Sequence, residues 1–454
     1  MGSKRRPVTA GGSDELPVVA ADVAGIDVGS RQHYVAVPPE RDEQPVRSFG
    51  CLTPDLVELA EWLKQCGIHE VVMESTGVYW VPLYRLLEER GFQVVLVDAR
   101  QMRHVPGRKT DVLDCQWLRQ LHSHGLLRAC FVPPGPVAEL REYWRQRGTL
   151  VTACAQAIHR MHKALEQMNL QLHKVLSDVS GVTGMQILRA IIAGEQDPAR
   201  LAALPHPEIK ASDEELRRAL TGCYRREQLL CLRQALEAYD FHQQQLAVVD
   251  EALQACLAQF EGPADREPPR PPRPPKRRKN QPGFDLRAEL TRVLGVDATR
   301  IDGLDALTVQ SVIAETGPDF SRWATEKQFS AWTQLAPNPE VTGGRVRRQR
   351  RRPPNRAGQA LKVAAQSLAR SDSAMGAYYR RMKAAHGPGI AIKATAHRLA
   401  RMLYRCVRYG EAYVDQGQAA YEAMYRERRR AALLRQATHL GYDLVPRAEL
   451  EGVS

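Results

Sequence analysis

Short apolar runs that end on an acid recur through the first quarter of the chain, and they restrict its fold more than any other feature. Val23-Ala24-Gly25-Ile26-Asp27-Val28-Gly29-Ser30 carries Asp27 near its end, and Glu70-Val71-Val72-Met73-Glu74-Ser75-Thr76-Gly77 closes its apolar part on Glu74. Tyr34-Val35-Ala36-Val37 and Val46 to Cys51 add a second and a third strand, the first two antiparallel across a turn. Leu56, Leu59, Ala60 and Leu63 recur at helical spacing and predict a helix from Pro54 to Gln65. A second helix is expected from Val78 to Arg90, begun by the Ser/Thr/Gly cluster and closed by Gly91. Gln93-Val94-Val95-Leu96-Val97-Asp98 reads as another buried strand, leaving through the basic stretch Arg100 to Lys109. Three strands followed by helix, strand, helix, strand and helix is an α/β pattern.

That basic stretch ends in Lys109-Thr110-Asp111-Val112-Leu113-Asp114, where a loop is expected to become a helix. Acids three apart share one helical face, close enough to share a cation. Taken alone, such a pair does no more than complement a helix dipole. Asp27 changes the weighing, because an acid in a buried strand is costly unless paired or metal-bound. In open α/β sheets functional groups collect at the carboxyl ends of strands, where Asp27 and Glu74 fall. Asp27, Glu74, Asp111 and Asp114 are therefore expected to meet at one edge. Four carboxylates together repel one another without divalent cations, and hard oxygen donors suit Mg2+ or Mn2+.

The charge balance points to the partner. Against 52 acidic residues stand 64 Lys plus Arg, a net +12 and a pI near 9.3, which favours a polyanion. The nine cysteines form no CxxC pair or zinc-spaced cluster and read as reduced thiols. No apolar segment approaches the ~18 residues needed to span a bilayer, so no membrane partner and a cytoplasmic location are expected.

The quoted segments carry a resemblance. GIDVGSRQHYVAV, EVVMESTGVYW and RKTDVLDCQWL resemble the three motifs of a RuvC-like, ribonuclease-H-fold domain with a D-E-D-D tetrad, as in the DEDD insertion-sequence transposases related to the Piv invertase. The last motif is usually KTDxxDA, so Cys115 is a departure. The match runs over roughly residues 22 to 135 and implies metal ligation by Asp27, Glu74, Asp111 and Asp114, with Arg108 and Lys109 on nucleic acid.

Beyond it, Ala138 to Val175, rich in Leu, Ala, Gln, Arg and His without Pro, and Asp213 to Phe260 predict two long helical blocks, a coiled-coil-like insertion. His159, Arg160, His162 and Lys163 suggest a dimerisation or nucleic-acid arm, with a solvated helix face as the plainer alternative. Residues 262 to 282 are a Pro-rich basic linker whose Arg270, Arg273, Lys276, Arg277, Arg278 and Lys279 either touch phosphate or only solubilise a tether. Residues 290 to 316 read as a helical hairpin turning at Ile301-Asp302-Gly303-Leu304, similar to the family's helix-hairpin-helix element.

The stretch from Leu335 through Thr342-Gly343-Gly344-Arg345 to Asn355-Arg356 resembles the family's LAPxxxxSGGK and NRAxxALxxAAQSL motifs. The family's nucleophilic Ser is here Thr342, whose extra methyl restricts χ1. Ser330, Ser367, Ser371 and Ser373 are the rival hydroxyls. Gly343 and Gly344 permit close backbone approach to a phosphate, while Arg345, Arg347, Arg348, Arg350, Arg351, Arg352, Asn355 and Arg356 are expected to contact nucleic acid. Arg398, Arg401, Arg405 and Arg408 form a second basic face.

The expected organisation is a tail (1–20), a RuvC-like DEDD domain (21–135), a helical region (136–261), a Pro/Arg-rich linker (262–284), a mainly α transposase domain (285–440) and a second tail (441–454). As the resemblance implies, the function is a transposase or site-specific DNA recombinase in the prokaryotic nucleoid. It would act on donor and target DNA, guided by an element-encoded bridge RNA, as a homodimer assembling to a tetramer. The alternatives are a RuvC-like metal-dependent structure-selective nuclease and a catalytically inactive nucleic-acid-binding relative.

Overall fold

A computed structural model describes residues 16–99, 111–204, 211–266, 269, 280–337, 340–343, 345–347, 353–410 and 417–444. The chain divides into two compact units, Met1–Val132 and Pro133–Ser454.

The first unit holds β1 (Val23–Val28), β2 (Gln32–Ala36), β3 (Val46–Gly50), α1 (Thr53–Gln65), β4 (Glu70–Glu74), α2 (Trp80–Glu89), β5 (Gln93–Val97) and α3 (Asp111–Ser123). The sheet is mixed, in the order β3-β2-β1-β4-β5, with β1 antiparallel to β2 and parallel to β4. Strand alternation divides the core between its two faces. Ala24, Ile26, Val71 and Met73 pack with Leu56, Leu59 and Leu63 of α1 and with Leu83 and Leu87 of α2. On the other face Val23, Val72 and Val97 pack with Leu118 of α3.

The helix α2 starts two residues later than Val78, and its N-cap residue Tyr79 donates no side-chain cap. The Ser/Thr/Gly cluster thus does not begin the helix. Thr76 instead gives its hydroxyl proton to Glu74 Oε1.

The second unit is mostly helical. It begins with α4 (Gly135–Gln167), α5 (Leu172–Val175), α6 (Val182–Ile192), α7 (Pro198–Ala202), α8 (Asp213–Leu220) and α9 (Arg226–Ala258). It continues with α10 (Leu286–Leu294), α11 (Ala306–Thr316), α12 (Glu326–Trp332), the strands β6 (Glu340–Thr342) and β7 (Arg345–Arg347), then α13 (Arg356–Ser367), α14 (Ala374–His386), α15 (Pro388–Tyr409) and α16 (Gly417–His439).

Both long helical blocks are interrupted where continuous helix was expected. The first ends at Gln167 because Asn169 takes a left-handed φ of 57°. The second breaks between α8 and α9, where the Cys223 amide bonds the Met168 carbonyl at 2.8 Å. Gly222 makes this possible: a Cβ there would come within 2.8 Å of Leu170 Cδ2. One break is thereby pinned to the other, and α5 to α8 close a separate small core over the ends of α4 and α9.

The long helices α4 and α9 run antiparallel, with Leu140 in one core with Leu253 and Leu257, and Cys154 beside Leu246. Between those layers Arg147 Nε donates to Asp250 Oδ1 at 2.6 Å, with the two residues only 5% and 6% exposed. Asp250 Oδ2 also accepts from the Gly283 amide at 2.9 Å, which ties the end of the Pro-rich segment to the helix pair. Its start is anchored too, since Arg266 donates to the carbonyls of Val407 and Arg408 at 2.9 and 3.0 Å. The segment is thus held at both ends, while its basic residues Arg270 to Lys279 lie outside the described residues. Asp250→Ala is expected to destabilise this unit by about 3–5 kcal/mol, because it strands a buried guanidinium. Urea denaturation checks this, and a loss below 1 kcal/mol would contradict it.

The helical hairpin is built as the sequence pattern suggests. Gly295 caps α10 at φ 68°, Gly303 turns at φ 87°, and Asp305 caps α11 by accepting from the Thr308 amide at 2.8 Å.

Candidate functional site

Gly25 sets how closely α3 lies against the strand that carries Asp27. A Cβ at this position would lie 2.6 Å from the Arg119 amide nitrogen and would collide with the Cys115 carbonyl oxygen. Only glycine lets α3 lie this close to β1. Gly25→Val is expected to push α3 off the sheet at a cost of about 2–3 kcal/mol, read as a lowered melting temperature. An unchanged melting temperature would contradict the close packing.

Asp27 follows Gly25 by two residues, so its side chain shares the face that α3 covers. The parallel register pairs Gly25 with Val72 and Ile26 with Met73. Continued one step beyond the paired residues, the same register would bring Asp27 opposite Glu74 at the usual strand spacing of about 4.8 Å. Val72 belongs to the α3 face, and so therefore does Glu74. Across the other edge of β1, Asp27 pairs with Tyr34 of β2.

The start of α3 reaches the same place. Cys115 is buried, and burial, the Asp27 carboxylate and the Asp114 carboxylate push its thiol up to about 12. Both acids thus bear on one thiol, whose Sγ lies 3.1 Å from the Val112 carbonyl. Asp111 is the first residue of α3, and its side chain lies outside the described residues, as do Arg108 and Lys109.

These acids offer carboxylate oxygens only, a donor set for a hard divalent cation. Among the described residues, no three His, Cys, Asp or Glu side chains stand grouped so as to hold a metal ion. Asp27 and Asp114 both act on the Cys115 thiol, and Glu74 lies one residue beyond the last pair of the β1–β4 register.

In the second unit, Thr342 pairs with Arg345 at the closed end of the β6–β7 ladder. Two glycines join the strands, and Gly343 has φ 57°, is exposed, and has open space where a Cβ would point. A two-residue turn with positive φ is the tightest antiparallel connection, and it holds Thr342 at the tip of a ribbon. The sequence reading found the motif but not these strands. The side chains of Thr342, Arg345 and Arg347 lie outside the described residues, as do Gly344, Arg348, Arg350, Arg351 and Arg352.

After the ribbon, Asn355 caps α13. Its Oδ1 accepts from the Gly358 amide at 2.9 Å while Nδ2 donates to the Trp332 carbonyl at 3.0 Å. Both ends of an amide expected to contact nucleic acid are thereby committed to the fold. Arg356 is exposed and lines a groove of about 440 Å³ with Trp144, Arg145 and Gln359.

Comparison with known families agrees with both halves. The DEDD transposase model of the IS110 type, described as a transposase, matches residues 24–170. A second model, the transposase IS116/IS110/IS902 family, matches residues 298–380, and the two together span about half the chain in the expected order. The chain belongs to the IS110-type transposases. No curated protein matches it. The family makes DNA a partner of this transposase. Among its described residues no helix is long and apolar enough to cross a membrane.

Within the transposase, each of the rival serines has a structural use. Ser330 is fully buried and donates to the Glu326 carbonyl at 2.8 Å. Ser367 donates to the Ala364 carbonyl at 2.8 Å. Ser373 is buried and caps α14 through the Gly376 amide, and Ser371 donates to Ser373 Oγ at 2.9 Å. Of the second basic face, Arg401 is paired with Glu326, and Arg398 lies over the Tyr378 ring at 5.0 Å. These two arginines serve packing first.

Proposed function

We propose that this transposase cuts and exchanges DNA strands through a covalent protein–DNA intermediate formed on Thr342, with Asp27, Glu74, Asp111 and Asp114 as the acidic centre. The observation that supports the reading is the close approach at Gly25, which lets α3 lie against β1, the strand of Asp27 and the parallel neighbour of the strand that ends on Glu74. Those acids come from three separate elements, and four carboxylates brought together would call for a counter-ion. Asp27, Glu74, Asp111 and Asp114 would hold a Mg2+ or Mn2+ ion, which would supply positive charge to stabilise the phosphate.

In the cutting step, the Thr342 hydroxyl loses its proton and its oxygen bonds to the scissile phosphorus. The bond to the leaving deoxyribose oxygen breaks, and that oxygen takes up a proton. One DNA end is left as a phosphothreonine ester and the other as a free hydroxyl. The tip of the β6–β7 ribbon suits this role, because its glycine turn lets a strand approach the backbone. Arg345, Arg347 and Arg356, with the arginines between, steady the phosphates on either side.

Acids and hydroxyl lie in different compact units, which suits a composite site shared between two protomers, dimers assembling to a tetramer to exchange four strands. Base choice would fall to a bridge RNA, whose pairing with donor and target DNA supplies sequence while the protein grips backbone. Sequencing RNA that co-purifies with the full chain tests this part. RNA whose loops pair with DNA flanking the gene is the expected result. Absence of RNA, or RNA that pairs with neither flank, would leave an unguided transposase or a RuvC-like nuclease.

A further inference from the structure

A cavity of about 630 Å³ opens between the segment before the ribbon and the α14–α15 corner. It lies mostly beyond the residues matched by the family models, which end at position 380. Its walls are apolar, from Leu335, Pro337, Ile390 and Ala394. Tyr378 forms a further wall, its ring fixed by Arg398 at 5.0 Å and Arg381 at 5.5 Å. Nitrogen groups stand at its edge, from His386, Lys393 and His397. Burial, and then Arg401, push the His397 imidazole down, so near neutral pH it carries one donor and one acceptor nitrogen.

We infer that this cavity takes a single nucleotide of the DNA strand turned out of its stack, the base between the apolar walls and the 5′-phosphate toward Lys393 and His386. The size is that of a small-ligand site rather than a duplex groove. Its chemistry also fits: apolar and aromatic walls for a planar base, a neutral imidazole for a base edge, and the Lys393 cation for a phosphate.

The chain itself ties the cavity to the ribbon. Pro337 precedes Thr342 by five residues, so even a fully extended connection spans at most about 18 Å. At 3.4 Å per nucleotide along a strand, the nucleotide would lie within about five steps of the hydroxyl. The choice of DNA over other nucleotide sources rests on reading Thr342 as the cutting residue. The cavity's preference for a nucleotide does not.

The test uses the full-length protein and the four deoxynucleoside 5′-monophosphates as probes, observed by saturation-transfer NMR. At least one should show transfer into its base protons, weaker for the matching deoxynucleoside. The signal should vanish in Ala394→Trp and in Ile390→Trp, which fill the cavity from two sides. Lys393→Ala should weaken binding about tenfold. Ile390 is 49% exposed, so its replacement leaves the fold intact even where Ala394→Trp does not.

Transfer that persists in Ile390→Trp, or no transfer from any of the four, would overturn the nucleotide site. Full displacement by inorganic phosphate with no transfer to base protons would reduce it to an anion site and overturn it too. A preference for ribonucleotides would overturn the DNA assignment. A mononucleotide contains no phosphodiester to cut, so its binding is read independently of whether Thr342 attacks.

Discussion

Asp27→Asn should lower DNA strand cleavage by about a thousandfold while leaving the protein folded and still able to bind DNA. Asparagine has nearly the same shape, so the sheet is preserved, with the β1–β4 register and the Gly25 contact unchanged. What disappears is one negative charge of the proposed acidic centre. The remaining acids of the proposed centre would hold a divalent cation less tightly, and the phosphate would lose part of its charge stabilisation. The cost should be partly recovered at high Mg2+ if loss of ion affinity is the main cause. Gel-based cleavage measured across a magnesium titration reads both effects. Cleavage within threefold of wild type would remove Asp27 from the chemistry, and the same cleavage without added metal would remove the metal.

Thr342→Ala should abolish the covalent protein–DNA product, a loss of at least a thousandfold, because no side-chain hydroxyl remains at the ribbon tip. Thr342→Ser is the informative companion. It restores the hydroxyl without the methyl that limits χ1, and should cut at least as fast as wild type. The competing explanation is that a nearby serine attacks. Ser330, Ser367, Ser371 and Ser373 are each held by local hydrogen bonds, two of them buried, so an alanine at any of these four should act through stability rather than through the adduct. Cleavage undiminished in Thr342→Ala, with no adduct in wild type, would favour metal-activated water as the attacking group.

Much of the first unit could be read in the residues, because each strand there is a short apolar run closed by polar punctuation. The mixed sheet follows that order, with its parallel pairs formed across α1 and α2. Less could be read where tertiary contacts override local pattern. The run from Ala138 to Val175 contains no proline, yet the helix stops at Gln167, since the turn at Asn169 is repaid by contacts with Gly222 and Cys223 more than fifty residues away. The ribbon was hidden for another reason: three-residue strands are too short to show alternation, and their only local sign is the Gly-Gly turn.

The acids illustrate the same division. Asp27, Glu74, Asp111 and Asp114 stand out in sequence by being acids in or beside apolar runs. Gly25, which lets α3 reach them, and Thr76, which donates to Glu74, carry no such mark. Gly25 looks like any strand glycine until the α3 backbone is seen against it. Asn355 shows the converse. It sits in an arginine-rich motif and invites a nucleic-acid role, but its amide holds Trp332 and the start of α13.

The central claim joins the acidic centre to a hydroxyl far away in the chain, and one measurement addresses it directly. The full-length protein, with any RNA that co-purifies and a DNA substrate carrying a nick just beyond the cut, is quenched in acid and digested, and the DNA-bearing peptide is sequenced by mass spectrometry. A phosphodeoxyribose mass on Thr342, present with Mg2+ and lost in Asp27→Asn, is the predicted result. The same mass on another residue, or cleaved DNA with no peptide attached, would contradict it.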